Sequence, residues 1–177
     1  MKPDELRRKL AGLIRDVPDF PRPGIVFKDI TPLLGDAEGL RLACERLAAP
    51  FLASSVDLVV GIESRGFIFG VPVALALGAG FAIARKQGKL PGETLGASYA
   101  LEYGSAEIEL HRDAVAPGAR VLIVDDVIAT GGTAAATARL VRELGGVVVG
   151  GCFLIELAFL AGRKALDGVP IEAVLRF

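Results

Sequence analysis

Short apolar runs alternate with segments of helical spacing along most of the chain. The apolar runs predict strands at residues 56–62, 81–84, 121–124, 147–155 and 171–175. The segments with helical spacing predict helices at residues 4–15, 39–52, 67–77, 134–144 and 159–166. Buried strands that alternate with helices are typical of an α/β protein. We therefore predict a central, mainly parallel sheet flanked by helices.

Two stretches depart from this alternation. Residues 19–32 are dense in proline and aromatic residues, too irregular for a helix and too interrupted for a central strand, so an ordered loop is predicted there. This loop is either a packed connector or part of a site. Residues 98–103 and 107–110 flank Gly104 and Ser105, which predicts a β-hairpin.

Composition limits the class of partner. The chain has 177 residues, of which 52% are hydrophobic, enough for one substantial core and hence a single domain. A net charge of −1 provides no basic field for nucleic acid or an acidic membrane surface. No apolar stretch is long and unbroken enough to span a bilayer. We therefore expect a small-molecule partner, no nucleic acid and no membrane.

The cysteines and the amino terminus bear on the compartment. Cys44 and Cys152 lie far apart among apolar neighbours and lack metal-type spacing, which favours two buried thiols over a disulfide. The first ten residues are charged and do not resemble a signal peptide. Both features favour a reducing cytoplasm.

The strand predicted at residues 121–124 is followed by chemistry suited to a sugar phosphate. Asp125 and Asp126 are placed where this strand is expected to stop, and small residues lead from them into the next helix: Ala129, Thr130, Gly131, Gly132 and Thr133. Free N–H groups and the helix dipole suit a phosphate there, whereas the acids can accept hydrogen bonds from ribose hydroxyls or face a hydrated Mg²⁺. Neither the P-loop nor the dinucleotide fingerprint is present. The implied ligand is a ribose 5-phosphate, and the alternative is a solvated turn after a buried strand.

A second strand predicted at residues 56–62 ends in a similar way. Four residues stand between it and the next helix: Glu63, Ser64, Arg65 and Gly66. An arginine at that position can hold a phosphate through two hydrogen bonds, and a glycine allows close approach of the backbone. The alternative is an arginine that only pairs with Glu63.

Cations and turn residues alternate after the strand predicted at residues 81–84. Arg85, Lys86 and Lys89 lie among glycines and a proline, which predicts a mobile basic lid that covers an anion-binding site. The alternative is a solvated charged surface.

The stretch from Val121 to Thr133 resembles the phosphoribosyl-diphosphate (PRPP) signature of the type I phosphoribosyltransferases: apolar residues, Asp-Asp, then Ala-Thr-Gly-Gly-Thr. The resemblance implies that family's fold, a mainly parallel sheet with a small amino-terminal hood and a flexible hairpin lid. It also implies transfer of ribose 5-phosphate from PRPP to a nitrogen base, with residues 129–133 holding the 5′-phosphate.

Two further segments resemble the adenine-specific branch of that family. The first runs from Phe20 to Leu33 and the second is Glu-Ser-Arg-Gly-Phe-Ile-Phe-Gly, residues 63–70. The resemblance implies that Val26, Phe27 and Lys28 surround adenine. It makes the second segment, with Glu63, Ser64, Arg65 and Gly66, the pyrophosphate loop.

The same resemblance implies which residues form the lid, how Mg²⁺ is bound and what the oligomeric state is. Arg85, Lys86, Lys89 and Tyr103 would close over PRPP, and Glu102 would approach the purine as a general acid or base, its alternative being a solvated carboxylate. Mg²⁺ would stabilise the leaving pyrophosphate and reach the protein through PRPP, with water-mediated contact to Asp125 and Asp126. Members of the family are usually dimers, so a homodimer is expected.

These inferences give one phosphoribosyltransferase domain over residues 1–177, with a hood from about residues 1–34 and a lid from about residues 85–110. Two other functions stay open. One is the same reaction on hypoxanthine or xanthine, since one hydrogen-bond reversal at the purine 6-position changes specificity. The other is a regulatory PRPP sensor that binds DNA, which the net charge and the lack of an added helix-turn-helix disfavour.

Overall fold

A computed structural model describes residues 3–100 and 105–177. The chain divides into two compact units, Met1–Arg46 and Leu47–Phe177. None of the helices in these described ranges is long and apolar enough to cross a bilayer.

The amino-terminal unit contains two longer helices and a β-ribbon. Its elements are α1 (Pro3–Ala11), β1 (Arg15–Pro18), β2 (Val26–Asp29), α2 (Thr31–Gly35) and most of α3 (Ala37–Ala48). Leu6 and Leu10 are buried one helical turn apart on α1, as its periodicity predicts. β1 and β2 pair in antiparallel fashion.

The structure corrects two predictions in this unit. α1 ends at Ala11, and Arg15 already belongs to β1 instead of the helix predicted over residues 4–15. The loop predicted at residues 19–32 contains β2 and the start of α2. The physical reason is cross-strand pairing: Arg15 and Asp29 are register partners joined by an ion pair of 2.6 Å, which local periodicity does not reveal.

The carboxy-terminal unit is built on one sheet. Its strands are β3 (Leu58–Ile62), β4 (Gly80–Lys86), β5 (Thr94–Ala100), β6 (Ser105–His111), β7 (Arg120–Ile128), β8 (Val147–Glu156) and β9 (Ile171–Arg176). Its α-helices are α4 (Arg65–Leu77) and α5 (Gly132–Glu143), and three short 3-10 helices span Ala49–Phe51, Ala158–Leu160 and Gly162–Leu166.

The seven strands are ordered β5-β6-β4-β3-β7-β8-β9. The five neighbouring strands β4, β3, β7, β8 and β9 are parallel to one another. β6 is antiparallel to β4, and β5 is antiparallel to β6. The predicted mainly parallel α/β fold is therefore confirmed. Because parallel strands end at the same edge, the segments that follow β3 and β7 lie at one edge of the sheet.

Apolar side chains from both faces of the central strands form the core of this unit. On one face, Val60 and Ile123 are register partners that pack with Leu140 of α5; on the other face, Val59 and Leu122 are register partners, and all five side chains are fully buried. Full burial of such a side chain is worth about 1.5–3 kcal/mol. The continuous apolar runs seen in the sequence are thus explained by strands covered on both faces.

Several predicted boundaries in this unit were wrong. β7 continues to Ile128, so Asp125 and Asp126 lie within a strand and not after it. β4 continues to Lys86, and the hairpin strand β5 begins at Thr94, not at residue 98. The helix predicted over residues 159–166 is two 3-10 helices, and the helix predicted over residues 39–52 ends at Ala48 before a 3-10 turn. Strand length here is set by pairing with neighbouring strands, which residue type alone does not encode.

Candidate functional site

An open cavity of about 80 Å³ lies at the carboxyl end of β7. It is lined by Asp125 and by residues 127–134, which include the five small residues singled out in the sequence. We call residues 129–133 the 129–133 loop. The structure therefore brings one of the two acids and this whole loop to the same cavity.

Backbone N–H groups of the 129–133 loop are available to a ligand. α5 begins at Gly132, and the first N–H groups of a helix have no acceptor within the helix. Gly131 precedes it with φ of +81°, a conformation that favours glycine. The N–H groups and the positive end of the α5 dipole make this a site for an anion such as a phosphate.

The two acids take opposite positions because successive side chains of a strand point to opposite faces. Asp126 is buried, with 3% of its surface exposed, whereas Asp125 is partly exposed and lines the cavity. The backbone N–H of Asp126 donates to Asp125 Oδ1 over 2.8 Å. The pair thus offers one carboxylate to the cavity and one to the protein interior.

The protein surroundings of Asp125 disfavour its charged form. Desolvation raises the pKa of this carboxyl well above its usual range, and the neighbouring Asp126 charge adds to the effect, although solvent still reaches the side chain. The Arg65 charge opposes the shift. A cationic or hydrogen-bond-donating ligand would therefore relieve an unfavourable charge.

We call the four residues from Glu63 to Gly66 the 63–66 loop, although α4 begins at Arg65 and not at residue 67 as predicted. Arg65 joins this loop to the acid pair. Its Nε donates to Asp126 Oδ2 in an ion pair in which the Asp126 side chain is buried and the Arg65 side chain is 45% exposed. Gly66 permits this approach, because a Cβ atom there would lie 2.7 Å from Val124 O and 2.9 Å from Asp125 Oδ1. Ser64, at the start of α4, is exposed beside Arg65. The two strand-to-helix segments predicted to bind phosphates are therefore in direct contact.

The predicted lid cations connect to the same 63–66 loop. Glu63 Oε2 accepts from Arg85 Nε over 3.3 Å and from the Lys86 backbone N–H over 2.9 Å. Burial raises the pKa of Glu63, but these hydrogen bonds outweigh it and the net shift is downward. Arg85 Nη1 also donates to Lys89 O over 3.0 Å. Glu63 therefore anchors the segment that carries all three cations.

The predicted adenine residues lie on β2 in the amino-terminal unit. Val26 is 49% exposed, and the Phe27 ring meets the Phe20 ring edge to face, with centroids 5.3 Å apart. Lys28 Nζ donates to Asp16 Oδ1 over 2.6 Å, so its ammonium group is engaged within the ribbon. Among the described strands, the ribbon pairs with no third one. Glu102 and Tyr103, the remaining predicted site residues, lie outside the described residues.

A second buried acid near the 129–133 loop was not predicted from the sequence. Glu156 ends β8, is 4% exposed and is the register partner of Ile128 on β7. Arg163 binds both of its carboxylate oxygens. An acid at the end of an apolar strand, the signal already used for Asp125, would have identified Glu156. Phe20 was given no role in the site, although its ring packs on that of Phe27; an aromatic residue between Asp19 and Pro21 in a proline-rich loop is a recognisable signal for such packing.

The acid pair suits a substrate-borne metal ion. Among the described residues, no group of three or more histidine, cysteine or acidic side chains is arranged to enclose a metal. Mg²⁺ in proteins commonly keeps several waters and binds through one or two carboxylates together with substrate phosphates. Asp125, at the cavity, fits that arrangement and does not require a protein cage.

Comparison with known proteins agrees with this geometry. The phosphoribosyl transferase domain model matches residues 34–172. An adenine phosphoribosyltransferase of Thermobifida fusca is 60% identical over 161 residues, which cover 91% of this chain and 92% of the relative.

Solved structures give the same result. The adenine phosphoribosyltransferase of Rhodothermus marinus superposes with a TM-score of 0.94 at 59% identity, covering 98% of this chain and 99% of the other. The Saccharomyces cerevisiae enzyme, complexed with D-2,5-dideoxy-2,5-imino-altritol 1,6-bisphosphate and adenine, has a TM-score of 0.91 at 40% identity, covering 97% and 99%. The chain belongs to the phosphoribosyltransferase family and, within it, to the adenine phosphoribosyltransferases.

Proposed function

We propose that the chain transfers ribose 5-phosphate from PRPP to adenine and releases AMP and pyrophosphate. One observation carries the proposal: Arg65 on the 63–66 loop pairs with Asp126, beside the cavity formed by Asp125 and the 129–133 loop. PRPP carries a 5′-phosphate, ribose hydroxyls and a diphosphate on one sugar, and these three groups match the three adjoining features. Relatives that are 59–60% identical carry the name of this activity.

Each part of PRPP has a place in this proposal. Ala129, Thr130, Gly131, Gly132 and Thr133 hold the 5′-phosphate through backbone N–H groups and the α5 dipole. Asp125 accepts hydrogen bonds from the ribose hydroxyls, and this contact with donors offsets its raised pKa. Asp126, which faces the interior, acts through Arg65, whose guanidinium it holds beside the cavity. Arg65, with Glu63, Ser64 and Gly66, holds the pyrophosphate.

The remaining roles concern adenine and the lid. Phe27 offers a ring for stacking, and the backbone of Val26 and Lys28 reads the 6-amino edge, since the Lys28 ammonium is bound to Asp16. Arg85, Lys86, Lys89 and Tyr103 close over PRPP, and the three cations neutralise its charge. Glu63 holds the base of this segment through Arg85 and Lys86.

The reaction is a displacement at the anomeric carbon. The bond from this carbon to the pyrophosphate oxygen breaks, a bond to an adenine ring nitrogen forms, and that nitrogen loses its proton. Glu102 accepts the proton, and in the reverse direction returns it. Bound Mg²⁺ would supply charge stabilisation for the departing pyrophosphate, and the residues that would face it through water are Asp125 and Asp126.

The chain is proposed to act as a homodimer. On α4, Gly66, Phe69, Gly70, Val73 and Ala74 are buried, while Ile68, Val71 and Leu75 are 40%, 43% and 78% exposed. These three apolar residues are spaced three and four apart and so form one stripe on the opposite side of the helix. A second copy of the chain is the proposed occupant of this stripe, since α4 begins at the site itself and family members are usually dimers.

A cytoplasmic location is proposed from the thiols. Cys44 and Cys152 are both free, and Cys152 is buried. Burial raises the pKa of the Cys44 thiol to about 11 and that of Cys152 further still, which keeps both unreactive. Free, inert thiols suit a reducing compartment.

The activity is tested by incubating the protein with PRPP and Mg²⁺ and with adenine, hypoxanthine, xanthine or guanine, and measuring nucleoside monophosphate and pyrophosphate. We expect AMP from adenine and little product from the other bases. Product only from hypoxanthine or xanthine would support the other purine reaction. PRPP binding without any product would support a sensor.

A further inference from the structure

The 129–133 loop is packed against a second backbone segment, the Gly162–Leu166 3-10 helix. A Cβ atom at Gly131 would overlap the carbonyl oxygen of Gly162 and lie 2.9 Å from Ala165 Cβ. A Cβ atom at Gly162 would overlap Ala129 O and lie 3.0 Å from Gly131 N. The two backbones therefore touch without intervening side chains, and a shift of one displaces the other.

Arg163, the next residue, fixes this 3-10 helix to the sheet. Its Nε donates to Glu156 Oε1 over 2.8 Å and its Nη2 donates to Glu156 Oε2 over 2.9 Å. Its Nη1 donates to Ile171 O over 2.5 Å, so one guanidinium spans the end of β8 and the start of β9. A guanidinium with this planar set of donors has a single productive orientation, which limits movement of the adjoining backbone.

Glu156 is itself rigidly placed. Its carboxylate is 5% exposed, its backbone oxygen accepts from the Phe177 N–H, and its strand neighbour is Ile128, directly before the 129–133 loop. The Leu157 N–H donates to Ile128 O over 3.0 Å. The hydrogen bonds from Arg163 hold the pKa of Glu156 below its usual range, so the pair is charged at neutral pH.

We propose that Arg163 and Glu156 are positioning residues for the 5′-phosphate: their ion pair presses Gly162 against Gly131 and so sets the geometry of the 129–133 loop. The proposal rests on the proposed function, in which that loop holds the 5′-phosphate. Neither side chain lines the cavity. Their effect is therefore on affinity for the phosphate end of the ligand and not on the diphosphate or the base.

The test compares ligands that use different ends of the site. Binding of ribose 5-phosphate and of Mg²⁺-pyrophosphate is measured by calorimetry for the wild type, Arg163→Met, Arg163→Lys and a control, Arg176→Met. Arg176 is a suitable control because it approaches the same Glu156 carboxylate, Nε to Oε2 3.8 Å, but is 70% exposed and makes a looser contact. Steady-state KM values for PRPP and adenine are measured in parallel.

For Arg163→Met we expect about tenfold weaker binding of ribose 5-phosphate, equal to about 1.4 kcal/mol, with unchanged pyrophosphate binding. Arg163→Lys keeps the charge but not the paired hydrogen bonds, so it should recover part of the affinity. Arg176→Met should match the wild type. The KM for PRPP should rise and that for adenine should not.

Two different failures are separable. If the wild type binds no ribose 5-phosphate, the 5′-phosphate assignment fails, and the positioning role fails with it. If the wild type binds it and Arg163→Met binds it equally well, or loses both ligands equally, only the positioning role is overturned. Should Arg163→Met not fold, the same comparison made with Arg163→Lys decides.

Discussion

Arg65 and Asp126 are 61 residues apart in the sequence and form an ion pair, Nε to Oδ2, at the carboxyl edge of the sheet. The contact joins the first residue of α4, three residues after the end of β3, to the carboxy-terminal part of β7. It holds the Arg65 guanidinium in place and leaves 45% of the Arg65 side chain exposed to a ligand. The predictions for these two residues therefore differ from those for isolated phosphate ligands.

Asn variants of Asp125 and Asp126 should both weaken PRPP binding but differ in their effect on thermal stability. Asp125→Asn should weaken PRPP binding by roughly 1.5–3 kcal/mol, the usual worth of a hydrogen bond to a charged group. Asp126→Asn should also weaken it, because Arg65 loses the carboxylate that holds it beside the cavity. Asp126→Asn should also lower the melting temperature, because its buried carboxylate pairs with Arg65. Asp125→Asn should not, because the raised pKa of Asp125 means that its charge is a cost to the folded state, and Asn does not carry that charge. Calorimetry and thermal unfolding check both; unchanged PRPP affinity in both variants would make the pair structural.

Arg65→Ala should weaken PRPP and pyrophosphate more than AMP. Only the first two ligands carry the diphosphate that Arg65 is proposed to hold. Binding constants of all three are compared with those of Arg41→Ala, an exposed arginine on α3 that pairs with Glu45. Equal losses for the three ligands would indicate a folding defect or a wrong assignment of the 63–66 loop.

Glu102→Gln should lower turnover by about 10²–10⁴-fold, the usual range for general acid–base catalysis. PRPP affinity should barely change, because the proposed contact is with adenine. Glu143→Gln, an exposed carboxylate at the end of α5 and outside the lid, is the control and should keep normal turnover. The acid–base role is wrong if Glu102→Gln turns over normally or loses only PRPP affinity.

Leu75→Asp should weaken the proposed dimer. A charge placed on the exposed apolar stripe of α4 would have to be desolvated in a dimer, so the dissociation constant should rise at least about tenfold, or 1.4 kcal/mol. Sedimentation velocity over a range of concentrations measures it. Leu52→Asp, an exposed leucine outside α4, is the matched control. If Leu75→Asp leaves the dimer unaffected, the dimer interface lies elsewhere on the protein.

Glu156 should contribute to stability in a pH-dependent way. Its folded pKa is lowered, mainly by hydrogen bonds from Arg163, so its contribution is present above the unfolded value of about 4.3 and is lost as pH falls through the folded value. The free energy of unfolding should therefore differ most between wild type and Glu156→Gln at neutral pH. The difference should shrink below about pH 4.

Denaturant unfolding at pH 7 and at pH 3 measures this difference. Glu143→Gln, on the exposed side of α5, is the control and should show a small difference at both pH values. A difference for Glu156→Gln that stays constant or grows on acidification would contradict the charged pair.

The alternation of strands and helices from β3 to β8 and the 129–133 loop could be predicted from the sequence, because both depend on local patterns. A continuous apolar run such as residues 121–124 is typical of a strand covered on both faces, and small residues before a helical segment are typical of an anion site. The same reasoning placed Arg65 at the end of a strand beside a helix amino terminus, where the structure has it.

The tertiary structure alone decided which side chains meet. Local pattern placed Asp125 and Asp126 after the strand, but pairing with β8 extends β7 to Ile128, and the pleat then sends the two acids to opposite faces. Pairing across the ribbon likewise made a strand of Val26–Asp29 inside a proline-rich loop. Arg163 and Gly162 gained a place beside the 129–133 loop through contacts with residues distant in sequence. Such contacts are determined by the packing of whole elements, and a periodicity read along one segment contains no information about the segment that faces it.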